Sequence, residues 1–330
     1  MSFELRFKKL TAPGANSGPA LPIARLHCDF TVLDALPLPD YAGSLWRGAF
    51  GHQLRRVACV TGQQQCPACP LYHSCAYSYV FETPVPPHAP KMRRYEKAPH
   101  PFVLRPGPER NRTAAPGESI ALEVMLIGHA QHHIGHILYA LEATAAHGLG
   151  YSQRRLRLDR VVQIDLTGSD HATIYTAGER YAPRPAQVLT PPPPPRAPIC
   201  LHLLTPLRLI GDGQLVNPER LQFRHLFGNL LRRISMLTSF HTAAPLDADF
   251  RGLTEHARNL PLRQCAVEWR DWTRYSSRQK TKLEMGGLIG TLELDAAGLE
   301  PFWPYLWLGQ FTHVGKGAVM GLGRYEIETR

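Results

Sequence analysis

The sequence has no long apolar segment, and its first residues contain no apolar leader. No run approaches the ~18 apolar residues of a membrane-spanning helix. Residues 1–10, Met-Ser-Phe-Glu-Leu-Arg-Phe-Lys-Lys-Leu, lack the apolar stretch of a secretory signal. We therefore expect a cytoplasmic protein without a membrane partner.

Two signatures of well-known enzyme classes are also missing. No Gly-Lys pair is followed by Ser or Thr, which excludes the P-loop fingerprint for nucleoside triphosphates. The metalloprotease pattern His-Glu-x-x-His does not occur either. His132, His133 and His136 would put two imidazoles on one helix face, so a metal-dependent enzyme at this helix stays an alternative.

Acidic side chains are scarce relative to basic ones. The 330 residues include 27 Asp and Glu against 37 Lys and Arg, which gives a net charge of +10 and a pI of about 9.4. A basic chain favours an acidic partner such as nucleic acid. The alternative is a generally basic protein whose charge has no specific partner.

Four of the seven cysteines are clustered: Cys59, Cys66, Cys69 and Cys75. The Cys-Pro-Ala-Cys segment points two thiolates at one metal, and four sulfurs would close a tetrahedral zinc site. An iron–sulfur cluster uses the same ligands. Such a closed site has no open position, so its predicted role is structural. The alternative is a group of unliganded or disulfide-paired thiols.

A predicted helix runs from Asp40 or Ser44 to about Ala58. Trp46, Phe50, Leu54 and Val57 recur on one face at helical spacing. His52, Arg55 and Arg56 lie on the other face. Arg47–Val57 aligns without a gap with Arg224–Ile234, and the two share Arg, Phe, Gly, Arg and Arg. His52 is matched by Asn229, so a proton-transfer residue is present in the first copy only.

The duplicated helix is part of a larger repeat. Each half closes with an apolar helix, a glycine loop and a strand, an order that fits the ferredoxin-like βαββαβ unit. We predict an α+β fold with tandem ferredoxin-like (RRM-like) domains. The predicted domains are 1–185, with a Cys-rich insertion at about 59–80, and 199–330, joined by a Pro-rich linker at 186–198. Residues 84–117 are predicted to be irregular. Chance similarity of two amphipathic helices is the alternative to duplication.

Two segments indicate RNA binding. Residues 270–282 alternate cations with aromatics, which suits phosphates and stacked bases of single-stranded RNA; the alternative is an exposed edge strand. Residues 313–325 contain four glycines around Lys316, and successive amides in such a loop can bind an anion. The alternative is a tight structural turn, with His313 beside it as a second candidate for chemistry.

Four features of the chain resemble the CRISPR-associated repeat-processing endoribonucleases, the Cas-six family of the RAMP superfamily. They are the helix segment 45–52, the Cys-rich segment to Tyr79, residues 274–279 and the glycine loop 315–323. The resemblance implies tandem ferredoxin-like domains and metal-independent cleavage of CRISPR precursor RNA at its repeats.

The chemistry of RNA cleavage suits this assignment. RNA supplies its own nucleophile, the 2′-OH, so an enzyme need only remove its proton, stabilise the charged phosphorane and protonate the leaving group. The products would be a 2′,3′-cyclic phosphate and a 5′-hydroxyl. By resemblance, His52 is the predicted catalytic histidine, with Tyr41 at the helix start and Arg55 in place of the family's lysine. The predicted RNA-binding residues are Arg47, Arg56, Arg154, Arg155, Arg274, Tyr275, Arg278, Lys280, Lys282, Gly315, Lys316, Gly317, Gly321 and Gly323.

The alternative function is a non-catalytic RNA-binding subunit of a CRISPR effector complex on the same fold. The predicted partners are CRISPR repeat RNA and other CRISPR-associated proteins, with the chain as a monomer or homodimer. No cofactor is predicted for catalysis. The only predicted metal is the structural zinc or iron–sulfur cluster at the four cysteines.

Overall fold

A computed structural model describes residues 18–85, 98–179, 182–188, 190–276 and 281–330, with the backbone alone for 273–276 and 281–284. None of the helices in these ranges has the length and apolar character needed to cross a membrane.

The first half is a five-stranded antiparallel sheet with two helices. The strands follow the order β3-β5-β1-β6-β7 across the sheet, and the short strands β2 and β4 pair beside it. In chain order the elements are β1 (Ile23–Val32), β2 (Leu36–Leu38), α1 (Gly43–Ala58), β3 (Phe102–Pro106), β4 (Arg112–Ala114), β5 (Ser119–Ile127), α2 (Ile134–His147), β6 (Leu156–Ile164) and β7 (His171–Thr176).

The second half is a four-stranded antiparallel sheet, ordered β11-β14-β8-β15. Two small hairpins, β9–β10 and β12–β13, lie outside it. The elements are β8 (Ile199–Leu207), β9 (Ile210–Gly211), β10 (Gln214–Leu215), α3 (Phe223–His241), α4 (Phe250–Asn259), β11 (Gln264–Arg270), β12 (Thr273–Ser276), β13 (Thr281–Glu284), β14 (Gly287–Leu294), α5 (Trp303–Thr312) and β15 (Tyr325–Thr329).

The two halves repeat one topology. In the first half, β1 lies between β5 and β6, and β3 pairs with the other edge of β5. In the second half, β8 likewise lies between β14 and β15, and β11 pairs with the other edge of β14. This is the βαββαβ arrangement, so the predicted tandem ferredoxin-like fold is confirmed. Strand β7 is an addition at the edge of the first sheet.

Each half has its own apolar core, and the first half also contributes side chains to the second core. Trp46, Phe50 and Leu54 of α1 are buried against the first sheet, as their helical spacing predicts. Ile23 and Met125, from β1 and β5, are instead buried with the residues of the second core. The two sheets are therefore joined by apolar packing as well as by the chain.

The prediction of irregular structure over 84–117 is wrong where β3 and β4 form. Strand β3 is only five residues long and ends at Pro106, so it has no long alternating pattern to detect. It exists because Phe102, Val103 and Leu104 pair with β5 and are fully buried.

His241, the last residue of α3, makes the fold sensitive to acid. It is 1% exposed; its Nδ1 accepts from the Tyr79 hydroxyl at 2.9 Å and its Nε2 donates to the Pro99 carbonyl at 2.7 Å. Burial lowers the pKa of His241 from 6.5 to about 4. Between these values the unfolded chain binds a proton that the folded chain does not, so stability falls as pH falls.

We expect this histidine to cost up to about 3 kcal/mol of stability between pH 7 and pH 4, at about 1.4 kcal/mol per pKa unit. Urea titrations at several pH values would measure the effect. His241→Gln, which takes up no proton, should be less stable at pH 7 and have a smaller pH dependence. An identical pH dependence in both proteins would contradict the assignment to His241.

Candidate active site and nucleic-acid interface

His52 lies on the exposed side of α1, opposite the buried residues of that helix. The side-chain amide nitrogen of Gln53 is 3.5 Å from its Nδ1. On the other side, its ring stacks on that of His147, at the end of α2, with the ring centroids 6.0 Å apart and the planes at 26°. Gln153 places its amide nitrogen 3.3 Å from Nε2 of His147. The sequence prediction singled out His52 and missed His147.

Asn229, which stands at the position of His52 in the second half, has a structural role. Its amide nitrogen donates to the carbonyls of Ile210 and His225 at 2.9 and 2.8 Å, and its oxygen accepts from the Ile210 amide. These bonds fix β9 against α3. The same helix position thus has an exposed titratable group in one copy and a bonded amide in the other.

Tyr41 lies just before α1 and faces the second half. Its hydroxyl donates to the Met320 carbonyl at 2.6 Å, and its ring packs edge-on against Trp272, with centroids 5.2 Å apart. Burial raises the pKa of Tyr41. His52 lies nine positions beyond the first helical residue, Gly43, roughly 14 Å along the helix axis.

Arg55 follows His52 by one helical turn, but its guanidinium reaches the Cys-rich segment. It donates to the carbonyls of Gln63 and Gln64 at 2.7 Å each, and it lies 5.9 Å from the centre of the Tyr77 ring. In the described residues, no hydrogen bond or ring contact joins His52 to Arg55 or Tyr41. The structure therefore places the three predicted catalytic residues in three different surroundings.

The zinc or iron–sulfur prediction for the four cysteines is not supported. In the described ranges, no group of three or more His, Cys, Asp or Glu side chains is placed to hold a metal ion. All four cysteines line one small pocket, but the hydroxyl of Thr61 lies 3.3 Å from the sulfur of Cys69 and 3.9 Å from that of Cys59. This hydroxyl occupies the space between two thiols, and all four are free.

The predicted RNA-binding cations differ in availability. Arg56, Arg154 and Lys316 are exposed. Arg155 is also exposed, but it is paired with Asp34 through two guanidinium nitrogens at 2.9 and 3.2 Å. Arg47 lies over the ring of Phe81 at 4.6 Å, where it holds the Cys-rich segment against α1.

The basic run at 270–282 is described only in part. Its backbone forms the β12–β13 hairpin, which agrees with a strand at this place. The side chains of Arg274, Tyr275 and Lys282, and the whole of Arg278 and Lys280, lie outside the described residues. Their RNA-binding roles stay predictions.

The glycine loop packs between the two halves. Gly315, Gly317, Gly321 and Gly323 all have positive φ, a conformation that favours glycine. A Cβ on Gly321 would lie 2.4 Å from the Tyr41 hydroxyl and 2.5 Å from the Leu104 carbonyl. Several loop amides already donate to carbonyls, among them Lys316 to Arg208 and Gly323 to Pro206. Lys316 is the cation of this loop that is exposed to solvent, and Arg324 is partly exposed in a pair with Glu326.

His313 is removed from the candidates for chemistry because it is fully buried. Its Nε2 accepts from Nε of Arg105 at 2.8 Å, and its Nδ1 donates to the Leu322 carbonyl at 3.1 Å. Burial and the neighbouring Arg105 hold the pKa of His313 well below its usual value. The residue is a neutral link between β3 of the first half and the loop after α5.

A cleft of about 440 Å³ opens where the halves meet, and sequence reasoning missed it. Four arginines and three acidic residues line it: Arg25, Arg105, Arg110, Arg324, Asp40, Glu109 and Glu123. Arg25 and His27 reach the cleft because they alternate with buried residues along β1. The alternation of polar and buried residues in β1 could have indicated a polar face on the first sheet. The cleft forms on that face only because the second half packs beside it.

Each half of the chain matches a family model. A family model described as CRISPR-associated endoribonuclease Cas6 matches residues 201–325, and a second, described as an N-terminal domain, matches residues 21–187. The second half of the chain is therefore similar to the Cas6 endoribonucleases. No curated protein matches the sequence.

Solved structures with the Cas6 fold resemble the whole described chain. A Cas6 product complex matches with a TM-score of 0.57 at 17% identity, covering 93% of this chain and 99% of that chain. Cas6 of Thermus thermophilus matches with a TM-score of 0.51 at 17% identity, covering 94% and 100%. A partial Cas6-RT-Cas1–Cas2 complex matches with a TM-score of 0.55 at 14% identity, covering 95% of this chain and 47% of that longer chain. At these identities the likeness establishes the Cas6 fold.

Proposed function

We propose that this Cas6-family endoribonuclease cleaves CRISPR precursor RNA within its repeats by metal-independent acid–base chemistry. The observation that carries the proposal is the placement of His52. It is exposed on the first helix, and the matching position of the second half is a structural asparagine. A histidine can exchange protons near neutral pH, and nothing in the packing of the helix requires one there.

The reaction needs few groups because the substrate contains the nucleophile. His52 transfers a proton as the 2′-oxygen attacks the adjacent phosphorus, and the 5′-oxygen leaves. The products are a 2′,3′-cyclic phosphate and a 5′-hydroxyl. Cations near the phosphorane stabilise its charge; Arg56, one turn further along α1, and Arg154 are exposed and can serve.

The remaining RNA contacts are assigned to two regions. The interdomain cleft presents Arg110 and Arg324, and Lys316 is exposed on the glycine loop. The hairpin of 270–282 adds the alternation of cations and aromatics that suits single-stranded RNA. Other CRISPR-associated proteins are proposed as further partners, in line with the complex that one similar structure contains.

Tyr41 and Arg55 keep their predicted catalytic roles only as proposals. The Tyr41 hydroxyl is bonded to Met320, and Arg55 is bonded to two backbone carbonyls. A direct role for either would require these bonds to break. The contacts favour positioning roles, in which Tyr41 fixes the start of α1 and Arg55 fixes its end.

The proposal is tested by incubating the protein with a labelled synthetic CRISPR repeat RNA in EDTA. We expect cleavage at one site, a downstream fragment whose 5′-hydroxyl is labelled by polynucleotide kinase without prior phosphatase treatment, and an upstream fragment whose 3′ end is a 2′,3′-cyclic phosphate. The matched control is the same RNA with a single 2′-deoxynucleotide before the scissile phosphate, which should bind equally and stay intact.

Other results would overturn the proposal in distinct ways. Cleavage of the deoxy-substituted RNA would exclude the 2′-OH as nucleophile. Cleavage only after magnesium is added would exclude metal-independent chemistry. Tight binding of the repeat without cleavage would make the chain an RNA-binding subunit.

A further inference from the structure

The stacked pair of His52 and His147 is a feature that one catalytic histidine does not explain. The two rings come from different helices and are brought together only by the packing of α1 against α2. Their centroids are 6.0 Å apart. His52 is exposed, His147 is half-buried, and in the described residues no acidic side chain is bonded to either ring. The pair is therefore open to an anionic ligand.

Each ring is held by the amide of a glutamine. Gln53 contacts Nδ1 of His52, and Gln153 contacts Nε2 of His147. A side-chain amide can present either its NH₂ group or its carbonyl oxygen. Each histidine can therefore gain or lose a proton and keep its hydrogen bond, whereas a carboxylate would favour the protonated ring alone.

The loop after α2 places Gln153 opposite His147. The backbone of Leu149 and Arg154 pairs in both directions, at 2.8 and 2.9 Å, and closes a short loop between them. Gly148 starts this loop at φ +96°, and a Cβ there would lie 2.3 Å from the Gln153 carbonyl. The close approach requires glycine and brings Gln153 back over the end of α2. The loop thus sets the orientation of His147.

Two proton transfers occur in the proposed reaction, and the geometry provides two groups for them. The O2′–P bond forms as the 2′-hydroxyl loses its proton, and the P–O5′ bond breaks as the 5′-oxygen gains one. Each donor or acceptor must come within about 2.6–3.2 Å of its oxygen. The ring centroids are 6.0 Å apart, close enough for both rings to reach oxygens of a single phosphate.

We infer that His147 is a second catalytic residue, which shares the two proton transfers with His52. One ring takes the proton of the 2′-hydroxyl and the other gives a proton to the 5′-oxygen. After each turnover the two rings exchange protons with solvent and return to their starting states. This inference rests on the proposed function and adds a residue to it.

The test is the single-turnover cleavage rate of His147→Gln on the repeat RNA. Removal of a general acid or base lowers the rate by about 10²–10⁴-fold, and we expect a loss in this range with RNA binding unchanged. The control is His132→Gln, which breaks the exposed stacked pair of His129 and His132, 5.4 Å apart at 14°. That variant should cleave at the wild-type rate.

A second substrate assigns the roles of the two rings. If sulfur replaces the 5′-oxygen at the scissile position, the leaving thiolate needs no proton. The variant that lacks the general acid should then regain most of its rate, and the variant that lacks the general base should not. We expect selective rescue of one of His147→Gln and His52→Gln.

Each outcome bears on the inference separately from the proposed function. Failure of the wild-type protein to cleave the repeat RNA would overturn the proposed function. Wild-type cleavage with His147→Gln within twofold of it would overturn only the role of His147. A second result would also overturn the role of His147. In that result, His147→Gln cleaves slowly and has a lowered melting temperature, and the sulfur-substituted RNA rescues neither variant selectively. The residue would then be structural.

Discussion

Replacing His52 by alanine is expected to lower the single-turnover cleavage rate of repeat RNA by about 10²–10⁴-fold, the range for loss of a general acid or base. The ring is exposed, so its removal opens no cavity and the melting temperature should stay within a few degrees of wild type. RNA binding should also be retained, because the cations near the site are untouched. The measurement is the rate at saturating protein, together with the dissociation constant.

Two further variants sharpen this result. His52→Asn installs the residue that the second half has at this position, and it should be as inactive as alanine because an amide does not exchange protons at neutral pH. His171→Ala removes an exposed histidine from the outer strand β7 of the same half and should leave the rate unchanged. Full activity in either His52 variant would move the proton-transfer site elsewhere.

Replacing Arg105 by alanine should cost about 3–5 kcal/mol of stability, the range for removal of one partner from a buried charged network. Arg105 is 7% exposed, and its Nε donates to His313 at 2.8 Å. It also donates to the Gln310 carbonyl and pairs with Glu123 at 3.4 Å. Burial lowers the pKa of Arg105 to about 10, so it remains charged at neutral pH.

The loss should be large because the bonds of Arg105 join the two halves. Glu123 would keep Arg25 as a partner, but Nε2 of His313 and the Gln310 carbonyl would be left without this donor. Urea unfolding would measure the cost. The matched control is Arg157→Ala, which removes an exposed pair with Asp159 and should cost at most about 1 kcal/mol. Equal effects of the two variants would contradict the role of Arg105.

Regular spacing of residues along the sequence predicted helix α1 and the duplication of the fold. The apolar spacing of Trp46, Phe50 and Leu54 predicted α1 and the face that it buries. The gapless match of Arg47–Val57 with Arg224–Ile234 predicted the duplication, and the two sheets have the same strand order. These inferences succeed because helix faces and repeats are recorded in consecutive residues.

Features that depend on long-range packing were missed or misjudged. Strand β3 is short and owes its existence to pairing with β5. His147 joins His52 only because two helices pack together. The spacing of the four cysteines suited a metal, but spacing does not fix where thiols point, and Thr61 separates two of them.

The contact between Tyr41 and Met320 has a consequence for how the protein is made. Met320 follows Tyr41 by 279 positions, which at roughly 5–20 residues per second take about 14–56 s to synthesise. A Cβ on Gly43, the first residue of α1, would lie 1.9 Å from the Met320 carbonyl, so the helix that holds His52 begins directly against this late segment. Helix α1 and the sheet that it packs on are synthesised well before this segment, so the start of the helix stays uncovered until the end of synthesis.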